Sequence, residues 1–115
     1  MKINQKFINE TVRRSVLIAY NEDTRQLDFR AVSPVDKKTA IKILKEAVPG
    51  YNAFTPNLLN SLPNDCQIFL AREGSVCIYV IGNILNTVRA DECDLVEHPY
   101  HFGDNVREVT RFWWD

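Results

Sequence analysis

Glycine is scarce in this chain: it occurs four times in 115 residues, never in a G-x-G-x-x-G or G-x-x-x-x-G-K-[ST] arrangement. A loop whose backbone amides cradle a phosphate needs closely spaced glycines, so dinucleotide-type and P-loop-type sites are excluded. G-x-S-x-G and H-E-x-x-H are missing as well, which removes the nucleophile elbow and the helical zinc-protease pattern. Cysteine is present three times, as Cys66, Cys77 and Cys93, an odd number without a C-x-x-C pair. Such spacing does not describe a disulfide framework, and Cys66 and Cys77 fall in apolar, strand-like runs, so reduced and mostly buried thiols are expected. No apolar run approaches the roughly 18 residues of a membrane span, and the opening "MKINQKFINETVRR" lacks the apolar core of a secretory signal. A cytoplasmic protein with no membrane association is expected. Neither sign of charge is in excess: 14 basic and 15 acidic side chains leave a formal net charge of -1. Nothing global therefore drives the chain onto nucleic acid or anionic lipid, and any such binding needs a local patch.

What is present is an ordinary globular balance, 45% hydrophobic and 25% charged residues. A chain of this length buries roughly two thirds of the surface its unfolded form exposes, enough for a core without a metal or disulfide. No repeat, low-complexity tract or Pro/Gly/Ser linker interrupts it, so residues 1–115 read as a single domain.

The pattern from Asn4 to Arg14, with Phe7 or Ile8 and Val12 on one side, fits a short helix better than a strand. "SVLIAY" and "QLDFRAV", separated by "NEDTR", read as a hairpin; in its second arm Leu27, Phe29 and Ala31 alternate with Asp28 and Arg30, leaving one face wet. "SPVDKKTAIKILKEAVPG" carries the strongest helix signal, with Ser33 able to cap, Pro34 at the first helical position, Asp36 in the first turn and Pro49-Gly50 at the end. Val35, Ile41, Leu44 and Val48, with Ala40, Ile43 and Ala47, form its apolar stripe, and Lys38, Lys42 and Lys45 its solvated side. A second, short helix is expected from Thr55-Pro56 to Leu62, stopped by Pro63. "CQIFLA" and "SVCIYVIG", joined by "REG", are nearly continuous apolar runs, the mark of central strands covered on both faces. "NILNTVRA" and "CDLVE" add weaker strand signals before Pro99. Strands and helices in this order, without strict βαβ alternation, predict an α+β fold: a mostly antiparallel sheet packed against one main helix plus one or two short helices.

Three constellations carry potential chemistry. "CDLVEHPYHFGD" gathers Cys93, His98, His101 and Asp104, residue types that ligate zinc or set an imidazole beside a carboxylate with a thiol nearby. Zinc needs three or four converging ligands, and this spacing across Pro99 is poor for that, so a solvent-facing loop is preferred and no metal, cofactor or catalytic residue is expected. Asp91, Glu92, Asp94 and Glu97 form a dense anionic stretch. Such a stretch either protects a strand edge or complements a cationic groove on another protein. The third constellation is "NVREVTRFWWD". Read as a strand, it places Thr110, Phe112 and Trp114 on one face with Val106, and Val109 and Trp113 on the other between Arg107 and Arg111; read as a helix it groups Val106, Val109 and Trp113. β-Branched and aromatic content favours the strand. One indole is then core, and the other is either covered by the same chain or displayed beside arginine, the pairing that dominates interface hot spots.

Anchors and charge patches without a catalytic set suggest a small intracellular protein-binding module. A stoichiometric inhibitor or immunity-type protein, phage or mobile-element encoded and aimed at a nuclease or defence complex, fits that description. Its partner-binding residues would be Trp113, Arg111, Arg107, Asp91, Glu92, Asp94 and Glu97, its partner a protein with a cationic nucleic-acid groove. The alternatives are a nucleic-acid-binding accessory protein using the Arg/Trp face, which near-neutral charge counts against, and a small enzyme built on the His101 and Asp104 loop.

Overall fold

A computed structural model describes residues 4–13, 15–22 and 25–115, with the backbone alone described for residues 15–21 and 26–27. Among the described residues two α-helices, α1 (Gln5–Arg13) and α2 (Lys37–Ala47), accompany six strands: β1 (Ser15–Asn21), β2 (Gln26–Ala31), β3 (Ile68–Glu73), β4 (Ser75–Ile81), β5 (Glu92–Leu95) and β6 (Val109–Trp113). Short 3-10 helices occupy Pro56–Ser61 and Pro99–Phe102. All neighbouring strands are antiparallel, in the order β1-β2-β3-β4-β6-β5. This is the expected α+β architecture, and no helix among the described residues is long and apolar enough to cross a membrane.

Helix α2 begins later than its sequence suggests. Asp36, not Ser33, is the N-cap, its carboxylate accepting from the Thr39 amide at 2.7 Å. Pro34 lies outside the helix because the next residue belongs to the sheet: Val35 and Ile68 exchange backbone hydrogen bonds of 2.8 Å in both directions. A two-bond bridge to a central strand outcompetes one more turn of helix. From there the stripe behaves as expected, with Ala40, Ile43, Leu44, Ala47 and Val48 buried and Lys38, Lys42 and Lys45 in solvent. Helix α1 lays Phe7 and Thr11, one turn apart, against this layer. Asn4 ties its start to the end of α2 through the Glu46 and Ala47 carbonyls, and Lys6 pairs with Glu46.

The second expected helix is a 3-10 segment with Pro56 in its first turn, burying Pro56 and Leu59, while Leu62 is buried just beyond its end. Strands β3 and β4 hold the middle of the sheet and pair from Ile68↔Val80 to Glu73↔Ser75 around Gly74, whose φ of 71° suits a residue without Cβ. "NILNTVRA" forms no strand. A buried threonine of β6 holds this segment as a turn instead, the Thr110 hydroxyl donating to the Gly82 carbonyl (2.6 Å) and accepting from the Ile84 amide (3.0 Å). "CDLVE" supplies β5, paired among the described residues with β6 alone.

Alternation along β6 decides the fate of the terminal aromatics. Thr110, Phe112 and Trp114 are buried toward the helices, Phe112 opposite Ile78 and Trp114 packed edge-on against Phe54 with ring centroids 4.8 Å apart. The Trp114 Nε1–H donates to the Arg89 carbonyl at 2.8 Å, so the indole is sealed and satisfied. Val109, Arg111 and Trp113 point to the other face. Val106 and Arg107 precede the strand, so the expected sharing of one strand face by Arg107 and Arg111 does not occur.

Candidate functional site

The face of the sheet turned away from α1 and α2 holds the polar chemistry. Register aligns Phe69, Tyr79, Arg111 and Asp94 in one row across β3, β4, β6 and β5, and Ala71, Cys77, Trp113 and Glu92 in the adjacent row. Arg30 on β2 extends the second row through its pairing with Ala71. Side chains far apart in sequence are thus brought within reach of one another by the pleat alone.

Arg111 is the centre of the network. Its Nη2 and Nε donate to Glu73 Oε1 and Oε2 at 2.8 and 3.1 Å, a two-pronged pair, while Nη1 lies 3.1 Å from Glu92 Oε1 and 3.5 Å from Asp94 Oδ2. Glu73 also accepts from the Tyr79 hydroxyl at 2.7 Å, and its backbone carbonyl accepts from the Trp113 Nε1–H at 2.6 Å. Burial alone would raise the Glu73 pKa; the hydrogen bonds from Arg111 and Tyr79, with the arginine's charge, outweigh it and hold the carboxyl below its ordinary value. Burial opposes the Arg111 charge, yet Glu73 more than offsets it and keeps the guanidinium more firmly protonated than usual. Burial, reinforced by Cys77 and Glu73, pushes the Tyr79 phenol up, and burial with the Glu73 charge does the same to the Cys77 thiol. Both stay neutral, and a neutral buried thiol is a poor nucleophile.

Of the residues singled out from the sequence, Arg111, Trp113, Glu92 and Asp94 come together here. Asp91 flanks them, its carboxylate accepting from the Asp115 amide at 2.8 Å. Glu97 stands at the rim with its side chain 93% exposed, 3.9 Å from His98 Nε2. Arg107 is exposed on the loop before β6 and takes no part in the network. The histidine loop does not assemble as a ligand set: Cys93 pairs with Phe112 and packs on the helix-side core, whereas His98 and His101 line the opposite face and Asp104 is exposed. Among the described residues, no three His, Cys, Asp or Glu side chains gather as a metal site.

A cavity of about 540 Å³ opens beside the network, its walls including Arg30, Tyr79, Asp94, His98, His101 and Phe102. The Pro99–Phe102 helix forms one wall by resting Phe102 on the sheet, 5.2 Å from the Phe69 ring and 5.1 Å from Tyr79. Arg30 stacks its guanidinium 3.9 Å above Phe102 and donates to the His101 carbonyl at 3.3 Å. Glu73, Tyr79, Arg30 and Phe102 escape a reading of local motifs. The available signal was alternation: Arg30 on the wet side of β2, and Glu73 and Tyr79 in phase with Phe69 and Cys77.

Compared with protein-family models, curated proteins and solved structures, the chain matches none. Its function is therefore read from this geometry.

Proposed function

We propose that the chain is a protein-binding module that acts stoichiometrically, in the manner of an inhibitor or immunity-type protein, through its anionic β5 edge. One observation carries the reading: three carboxylates, Glu73, Glu92 and Asp94, surround the single guanidinium of Arg111. The surplus negative charge is held in fixed positions on a strand that pairs on one side only. Glu92 and Asp94 remain more than half exposed while anchored, and Leu95, next to Asp94 on the same edge strand, is 40% exposed. Pre-positioned carboxylates next to an exposed apolar side chain suit a cationic protein surface, such as a groove built to hold phosphates, and favour fast association. Three free thiols fit a reducing, cytoplasmic setting.

The nucleic-acid reading is weakened by the same geometry. Arg111 is engaged by carboxylates, so it is not available to phosphates without breaking internal bonds. Affinity capture from cells that express the chain tests the proposal, with wild type beside a Glu92→Lys/Asp94→Lys variant whose fold is checked by circular dichroism. A single protein retained at equal stoichiometry by the wild type and lost by the variant is the expected result. Retention indifferent to charge reversal, or retention of nucleic acid alone on heparin-type competition, overturns it.

A further inference from the structure

We propose that the cavity between the sheet and the Pro99–Phe102 helix is a binding site for a small organic anion, a carboxylate or a phosphate, received by Arg30. The cavity shares Asp94 and Leu95 with the β5 edge, but the inference concerns a different guanidinium and survives if no protein partner exists.

Three arginines line the cavity; burial lowers the pKa of Arg72 against the opposing charge of Asp28, and the other two contrast. Arg111 is saturated, with its nitrogens directed at Glu73, Glu92 and Asp94. Arg30 is not. Burial disfavours its charge and lowers its pKa, and no carboxylate among the described residues lies within ion-pair distance to restore it. Of its five N–H donors, one reaches an acceptor among the described residues, the His101 carbonyl at 3.3 Å. Its other nitrogens are not sealed away from solvent. The Phe102 ring packs against the guanidinium, its centroid 3.9 Å from Cζ, and restricts its orientation.

A half-buried guanidinium with spare donors, its orientation restricted by an aromatic ring, is an arrangement that binds a planar carboxylate or a phosphate by paired hydrogen bonds. The remaining walls are compatible. Of the four carboxylates in the wall, Glu73 and Asp94 are turned to Arg111, Asp28 accepts from the Gly74 amide and Glu97 extends into solvent, while His98 and His101 line the cavity with ring nitrogens able to donate. About 540 Å³ is within the range of small-molecule sites. Phe102 and Tyr79 add apolar wall, which favours an anion carried on a flat ring.

The test is titration of the intact chain with benzoate and, separately, with inorganic phosphate at constant ionic strength, followed by ¹H–¹⁵N spectra that include the arginine Nε–H signals. Saturable shifts at Arg30 Nε–H and the His101 amide are expected, with Arg107 Nε–H unmoved. The better-binding probe identifies the source of the anion. Arg30→Lys keeps the charge but loses the fork and should weaken binding about tenfold or more; Arg107→Gln should change nothing. Shifts that fail to saturate, that spread equally over the exposed arginines, or that survive Arg30→Lys at full affinity overturn the proposal. Because the wild-type titration alone can do so, the outcome does not depend on how well the variant folds.

Discussion

The two faces of one sheet are built on different principles. Toward the helices, Ile68, Leu70, Val76, Ile78, Val80, Phe112 and Trp114 meet Phe7, Leu44 and Phe54 in a dry, close-packed layer where stability comes from area removed from water. On the other face the 3-10 segment Pro99–Phe102 lies across part of the strands. Cohesion there comes from a guanidinium shared by carboxylates, edge-to-face rings and the hydrogen bond from the Trp113 indole to the Glu73 carbonyl. The first face would hold any antiparallel sheet to a helix pair. The second places charge and donors at fixed points, and so carries the specificity of this chain.

The adjacent tryptophans break that comparison most sharply. Trp114→Ala should cost about 3–5 kcal/mol, since it empties a fully buried aromatic site and leaves the Arg89 carbonyl without its donor. Trp113→Ala, one residue away on the other face, should cost less than half as much; urea unfolding of both variants measures the ratio. Equal costs would mean that the two faces are equally packed.

Arg111→Met comes next, with an expected loss of about 2 kcal/mol at neutral pH, below the cost for a fully buried pair because Glu73 remains partly exposed. Its pH dependence sharpens the contrast. Glu73 has a folded-state pKa below its unfolded value, so its contribution is present above about pH 4.3 and is lost as pH falls through the folded value. The stability gap between wild type and Arg111→Met should therefore narrow in acid, whereas the gap for Trp114→Ala should lack this component.

The smallest effect is expected at Gly103, which ends the Pro99–Phe102 helix at φ 149° and whose added Cβ would sit 3.1 Å from Val106 Cγ2. Gly103→Ala should cost about 1 kcal/mol and displace Phe102 from the sheet, read as a change in the Arg30 Nε–H signal with the helix-side core signals unmoved.

Local chemistry made much of the fold legible. Period-3.6 spacing of Ala40, Ile43, Leu44 and Ala47, the turn at Gly74, and alternation through Thr110, Phe112 and Trp114 each act within a few residues, so they can be read along the chain. The errors arose where a distant group outbid a local preference. Val35 left the helix for Ile68, and "NILNTVRA" surrendered its strand propensity to the Thr110 hydroxyl. The anionic stretch was visible as composition, but its tether to Arg111 and the part played by Glu73 depend on β6 sliding between β4 and β5, a long-range pairing that no spacing announces.

That same insertion constrains the order of events during synthesis. Strand β5 leaves the ribosome before its sole neighbour β6 does, so for an interval Glu92–Leu95 has nothing to zip against and the seat beside β4 stands empty. A nascent chain paused in that interval carries an open hydrophobic flank, one that a chaperone, or a β-strand of another molecule, would find before its own remaining residues arrive.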